Sequence, residues 1–99
     1  MYAAVVEASY RPGHEAGERE HKQTLELLAA QSGYRGALLL DAGEGRHLAV
    51  SIWESAAARQ AAAADPAIRR LLAERDERQA TPRRLVAAGT VMASDLSRR

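Results

Sequence analysis

The chain of 99 residues has no cysteine and no phenylalanine, and only three tyrosines and one tryptophan supply its aromatic rings. Without cysteine, a thiol nucleophile, a disulfide framework and a thiolate zinc site are excluded. No apolar run reaches the roughly 18 residues needed to span a bilayer, and no basic segment followed by an apolar stretch opens the chain. We therefore expect a soluble, cytoplasmic protein with no membrane partner.

An excess of charge of one sign is also missing. Lys and Arg number 14 and Asp and Glu 13, which leaves a formal net charge of +1. Binding to nucleic acid needs a concentrated basic face, so no nucleic-acid partner is expected. The sequence also lacks a glycine-rich phosphate loop and a nucleophile elbow around any serine, so nothing in it supports nucleotide binding or acyl transfer.

The length fits a single domain over residues 1–99, with a core over 2–93 and a polar tail over 94–99. Alternation and β-branched residues predict strands over 1–10, 34–41, 46–54 and 83–93. Helical spacing predicts one helix that ends before Gly33 and turns Thr24, Leu25, Leu28 and Ala29 to one face. A second helical segment over 56–79 is interrupted at Asp65-Pro66 and closed by Thr81-Pro82, because proline cannot donate a backbone hydrogen bond.

The order of these elements is strand, helix, strand, strand, helix, strand. With right-handed crossovers it predicts an α+β, ferredoxin-like βαββαβ protomer, in which a four-stranded antiparallel sheet carries two helices on one face. Val5, Leu48, Val50 and Ile52 fall on the opposite face, which no helix covers. A second copy of the sheet is the economical cover, so we expect a homodimer through this open face.

Two short motifs carry a family resemblance. "RPGHE" follows the first strand, and "WES" ends the third strand before a helix. With the element order, they resemble the antibiotic-biosynthesis monooxygenase family, whose members are dimeric α+β barrels. The resemblance implies a cleft between sheet and helices, with Trp53 in its wall. Some members oxidise polycyclic aromatic substrates with O2 and no prosthetic group, and others degrade haem.

The sequence departs from the haem-degrading members at two positions. Val6 stands where they have an asparagine, and Ala63 stands where they have the haem-ligating histidine. Without that axial imidazole we expect no haem and no other cofactor.

The third strand suggests where a small molecule binds. Alternation places His47, Ala49, Ser51 and Trp53 on one face, where small side chains beside one large ring are typical of a cavity. Trp53 is predicted to stack on a flat ligand, and Ser51, Val6, His47, Tyr10 and Tyr34 are the further candidate substrate-binding residues. Ordinary packing is the alternative for Trp53 and for both tyrosines, and solvent exposure for His47.

His21 and Arg75 are the candidate catalytic residues. His21 lies one turn before Leu25 on the first helix, where it is predicted to face the cleft as a general base. A histidine satisfied by a backbone carbonyl is the alternative. Arg75 lies one turn beyond Leu71, where it is predicted to stabilise an enolate or peroxide-like anion, unless it reaches solvent or pairs with a carboxylate.

The helical spacing of His14, Glu18 and His21 is compatible with a metal, but such spacing is common by chance and we expect no metal site. The favoured hypothesis is a cofactor-independent monooxygenase that acts on an aromatic or polyketide-type small molecule. The alternatives are a non-catalytic barrel that binds a small apolar metabolite, and a related lyase or isomerase.

Overall fold

The computed structural model of the chain describes residues 1–95; the last four residues of the predicted tail lie outside the described part. Its sheet has the strand order β2-β3-β1-β4, and all three pairings are antiparallel. This confirms the α+β, ferredoxin-like prediction. The elements are β1 (Tyr2–Tyr10), α1 (Glu18–Ala29), β2 (Tyr34–Gly43), β3 (Arg46–Trp53), α2 (Ala56–Ala63), α3 (Pro66–Asp76) and β4 (Gln79–Thr90).

The predicted interruption at Asp65-Pro66 separates α2 from α3. Pro66 is the first residue of α3, where no backbone donor is needed. The Asp65 carboxylate caps the new helix, since its Oδ2 accepts hydrogen bonds from the backbone N–H groups of Ala67 and Ile68 at 3.0 and 3.2 Å. The second helical segment is therefore two helices, which turn different residues toward the sheet.

The prediction for Thr81-Pro82 is wrong. α3 already ends at Asp76, and both residues lie inside β4. Proline fits there because β4 is an edge strand, and because the pairing of β4 with β1 shifts register between Glu7 and Ser9. An edge strand leaves half of its N–H groups unpaired, and a register irregularity frees another.

The predicted inward face of α1 is also wrong in part. Leu25 is 36% exposed and Ala29 is exposed, whereas His21, Thr24 and Leu28 line the space below the helix. Arg75 of α3 donates hydrogen bonds to Thr24 and Gln23, and these polar contacts constrain which side of α1 faces inward. The apolar pattern alone could not report that constraint.

The turn between α1 and β2 is pressed against α2. Gly33 has φ +82°, and a Cβ at this position would lie 2.6 Å from the Cβ of Ala58. Only glycine meets both conditions without strain. This turn therefore fixes the start of α2 beside the first residues of β2.

The face of the sheet that carries no helix is apolar across three strands. Val5 pairs with Val50, and Leu38 pairs with the other side of Val50. Leu38 is 60% and Leu40 45% exposed in the single chain. Of the four residues predicted on this open face, Leu48 also contributes to the cavity on the helix side.

Glu7 is the carboxylate that interrupts the open face. Its carboxylate forms ion pairs with Arg46 of β3, at 2.8 Å, and with Arg84 of β4, at 3.1 Å. The Glu7 side chain is 15% exposed. Hydrogen bonds from Arg46 and then Arg84 hold the pKa of the Glu7 carboxyl below its usual range. Glu7 thus links the strands on both sides of β1. In the described residues, no helix is long and apolar enough to cross a membrane.

Candidate functional site

A cavity of about 630 Å³ lies between the sheet and the helices. Ligand pockets for small molecules commonly have volumes of about 300–1,000 Å³. β1 and β3 form its floor with alternate residues, since successive side chains of a strand point to opposite faces. The residues of interest in its wall are Val6, Tyr10, His21, His47, Ser51, Trp53, Arg59, Ala63 and Arg75.

Trp53 closes one end of the cavity. It is 2% exposed, and its indole Nε1 is buried and has no hydrogen-bond partner within the described residues. Ser51 and Val6 lie along the same wall, as predicted from the alternation of the strands. The small side chains leave space beside the indole ring, so a planar ligand can contact it.

Tyr34 is placed differently from the prediction. It does not line the cavity; its ring packs edge-on against Trp53, with 5.6 Å between the ring centroids. Burial raises the pKa of its phenol. The pairing of Tyr34 with Trp53 across β2 and β3 explains this position. Tyr34 supports the indole ring from outside and is better described as a packing residue.

Three rings form a cluster toward the other end of the cavity. The centroids of Tyr10 and His47 are 5.0 Å apart, and those of His47 and His21 are 5.3 Å apart. Tyr10 is 7% exposed, and the guanidinium of Arg78 lies over its ring, 5.9 Å from the centroid, in a cation–π contact. The strand residues Tyr10 and His47 therefore meet the helical His21, which the sequence alone placed only on separate elements.

The surroundings of His21 favour its neutral form. Burial lowers the pKa of its imidazole below the ordinary 6.5, and the nearby charges of His47 and Arg75 lower it further. The carboxylate of Glu20 and a hydrogen bond to the Ala16 carbonyl act in the opposite direction. His21 thus combines both interpretations of the sequence: it bonds to a backbone carbonyl, and it lines the cavity. A neutral imidazole in a cavity can accept a proton.

Arg75 uses its terminal nitrogens in contacts with α1, whereas its buried Nε has no hydrogen-bond partner within the described residues. It is 5% exposed, and its two terminal nitrogens donate to Thr24 Oγ1 at 2.8 Å, to the Glu20 carbonyl at 3.1 Å and to Gln23 Oε1 at 3.4 Å. Its Nε lies 3.4 Å from Glu20 Oε2. Arg75 thus joins α3 to α1, in agreement with the alternative that it pairs with a carboxylate, and its anion-stabilising role stays a prediction.

Arg59 is a cavity residue that the sequence prediction missed. It lies on α2 one turn from Ala62 and Ala63, and all three line the cavity. Its side chain has no ion pair or hydrogen bond to another residue of the described chain, and it is partly buried. The alanine run around it has no apolar stripe, so hydrophobic periodicity could not indicate which face of α2 turns inward.

No group of three or more His, Cys, Asp or Glu side chains in residues 1–95 is arranged to hold a metal ion. His14 and Glu18 are exposed, whereas His21 turns toward the cavity. Ala63 lines the cavity at the position where the family resemblance implies a haem-ligating histidine in other proteins. A methyl group cannot ligate iron, so this position does not fit haem.

Solved structures share this architecture. One antibiotic biosynthesis monooxygenase superposes with a TM-score of 0.80 and 14% identity over 94% of this chain and 100% of its own. The chain has the fold of the antibiotic biosynthesis monooxygenases. A protein of unknown function from Nitrosomonas europaea has a TM-score of 0.81 and 23% identity, over 96% of this chain and 92% of its own.

A third similar structure with this fold is SnoaB from Streptomyces nogalater, described as a cofactor-independent oxygenase. Its TM-score is 0.73 at 16% identity, over 94% of this chain and 97% of its own. No family model and no curated protein sequence matches the chain. The family resemblance seen in the sequence is thus confirmed for the fold.

Proposed function

We propose that the protein is a cofactor-independent monooxygenase that acts on a flat aromatic or polyketide-type molecule in the cavity. The observation that carries the proposal is the placement of His21 and the Trp53 ring in the wall of one cavity of about 630 Å³. SnoaB, described as a cofactor-independent oxygenase, has the same fold.

The reaction begins with proton transfer to His21. Its imidazole takes a proton from an activated CH2 or phenol of the substrate, and Trp53 holds the ring system in place. The resulting anion gives one electron to O2, and the substrate radical and superoxide combine to a peroxide anion. The protonated His21 returns its proton to this anion, which gives the hydroperoxide. Loss of water leaves a ketone. One oxygen atom of O2 enters the product, and the other leaves as water with both hydrogens of the CH2 group.

Residues around His21 support its role as a base. His47, with its ring centroid 5.3 Å away, disfavours a second positive charge at His21. Arg75, also in the cavity wall, fixes α1 to α3 and thereby the position of His21. In this proposal Arg75 is a positioning residue, and Tyr10 and His47 bind the polar end of the substrate.

Consumption of O2 with a panel of quinols and anthrone-type compounds tests the proposal. The wild-type protein is expected to consume one O2 per molecule converted. His21→Gln should lower kcat by about 10²-fold, the usual contribution of a positioned base. His14→Gln is the matched control, because His14 is exposed and outside the cavity wall. Absence of O2 uptake across the panel would refute the oxygenase assignment.

The contacts of Arg75 with α1 favour a second candidate, since they leave few of its donors for an anion beside His21. The protein would then bind an apolar metabolite without turnover, or transfer a proton as an isomerase or lyase does. Hydrogen–deuterium exchange of the anthrone CH2 group under anaerobic conditions separates these functions. Exchange without O2 uptake indicates proton transfer alone, and binding without exchange indicates a binding protein.

We also propose a homodimer through the open sheet face. Its support is the exposed apolar surface formed by Leu38, Leu40 and their neighbours on β1 and β3, which is unusual for a monomer. Light scattering should give twice the mass of one chain. Leu38→Asp should halve that mass, whereas Leu25→Asp, on the exposed side of α1, should not. A monomeric wild-type protein would contradict the proposal.

A further inference from the structure

The charged side chains of the cavity wall that lack an ion-pair partner are unevenly placed between its two ends. Three arginines line it: Arg59, Arg75 and Arg83. Arg75 is bonded to α1, and Arg83 donates to Asp76 Oδ1 at 3.0 and 2.7 Å. Arg59 has no such partner among the described residues. It is the cavity arginine whose guanidinium remains available to a ligand.

Arg59 lies at the Trp53 end of the cavity. The preceding residue, Ala58, packs against Gly33, and Gly33 is followed by Tyr34, which pairs with Trp53. Trp53 and His47 are six residues apart on β3, which corresponds to about 20 Å along an extended strand. The guanidinium and the histidine cluster therefore belong to different ends of the cavity.

The end with the histidine cluster carries carboxylates. Glu15, Asp41 and Glu44 line it, and the Glu15 carboxylate lies close to Gly45, whose carbonyl accepts the N–H of Tyr10. Arg75 and Arg78 also lie near the histidine cluster, but both are paired with Glu20, at 3.4 and 2.6 Å. An anionic group of a ligand is therefore disfavoured beside these carboxylates and attracted to the unpaired Arg59 guanidinium. The charge distribution therefore selects one orientation of a charged ligand.

We propose that the cavity binds aromatic acids and that Arg59 is the residue that recognises their carboxylate. The aromatic ring lies against Trp53, and the end of the molecule remote from the carboxylate points to His21 and His47. A guanidinium suits this role because its planar fork donates two hydrogen bonds to one carboxylate. The inference deepens the proposed function, because it names the substrate class of the same cavity.

Binding of 2-naphthoate and 2-naphthamide tests the proposal. The two probes have the same ring and nearly the same shape, and differ in charge. Trp53 is the only tryptophan, so quenching of its fluorescence reports occupancy of the cavity. We expect naphthoate to bind the wild-type protein at least about 10-fold more tightly, since a hydrogen-bonded charge pair contributes roughly this factor.

Arg59→Gln should remove this preference and leave the Kd of naphthamide unchanged. Arg70→Gln is the matched control, since it makes the same change of charge at an exposed position of α3 outside the cavity wall. Arg59→Lys, which keeps the charge but not the fork, should retain part of the preference. It also covers the case in which Arg59→Gln fails to fold, as judged by circular dichroism.

Three results would overturn the proposal: equal or undetectable binding of both probes by the wild-type protein, a preference that survives in Arg59→Gln, or an equal loss in Arg70→Gln. The proposed oxygenase function fails by a different measurement, the uptake of O2 with neutral anthrone. A protein can therefore prefer naphthoate through Arg59 and consume no O2, or consume O2 and ignore the charge of the probe.

Discussion

Arg75→Ala is expected to destabilise the protein substantially, because Arg75 joins two helices from a nearly buried position. The change removes three hydrogen bonds between α3 and α1, at 2.8, 3.1 and 3.4 Å. Hydrogen bonds to charged groups contribute about 1.5–3 kcal/mol each, and the longest contributes least. Glu20 keeps Arg78 at 2.6 Å, so the substitution leaves no isolated buried carboxylate.

From these contacts we expect a loss of about 3 kcal/mol in the free energy of unfolding, below the sum of the bonds because they share one guanidinium. In a domain of this size the loss lowers Tm by about 12–20 °C. Urea denaturation followed by Trp53 fluorescence measures it. Arg83→Ala breaks a more exposed ion pair with Asp76 and should cost less than about 1 kcal/mol.

The comparison of the two variants decides the role of Arg75. If Arg75→Ala unfolds at the same urea concentration as the wild-type protein while catalysis is lost, the structural role is wrong and the anion-stabilising role predicted from the sequence is favoured. If both variants lose equal stability, burial of the guanidinium does not have the energetic importance assigned to it.

Three further predictions follow from single sites. Gly33→Ala should lower the free energy of unfolding by about 3 kcal/mol, because the new Cβ is strained by the positive φ and collides with α2. Gly13→Ala, at a similar φ but in open space, should lower it by about 1 kcal/mol. Thermal denaturation measures both. A hydrogen bond from Arg78 lowers the pKa of the Glu20 carboxyl below 4.5. The stabilisation by this contact should therefore be constant above pH 4.5 and be lost as the pH falls toward the pKa of the folded state. A flat profile of Tm against pH from 6 to 3 would contradict this. Since the pKa of His21 is lowered, the acid limb of kcat/KM should lie below pH 6.5, as measured by initial rates.

The sequence pattern was sufficient for the fold but not for every element boundary. Alternation and helical spacing identified the order of the elements and the break at Asp65-Pro66, because those signals are local. The start of β4 was misplaced because Thr81-Pro82 has the chemistry of a helix terminator. Its position in an edge strand depends on the register between β4 and β1, which is a property of the assembled sheet.

The candidate site was predictable where it lies on a strand. Alternation placed Ser51 and Trp53 on one face, and the structure puts both in the cavity wall. The partners of Arg75 on α1 could not be predicted, because they depend on how two helices pack. Arg59 was missed because it lies among alanines. They give α2 a high helix propensity but no apolar stripe to show which side of the helix faces the cavity.

The irregular pairing of β4 has a consequence for how a ligand reaches the cavity. β1 and β3 pair in continuous register, whereas the pairing of β1 with β4 shifts three times. Interrupted ladders open locally at a lower free energy than continuous ones. Arg83 of β4 is part of the cavity wall, so fraying of this edge strand also opens the wall. We therefore expect hydrogen exchange at β4 and the rate of ligand entry to rise together, and the ion pair of Glu7 with Arg84 to restrain both.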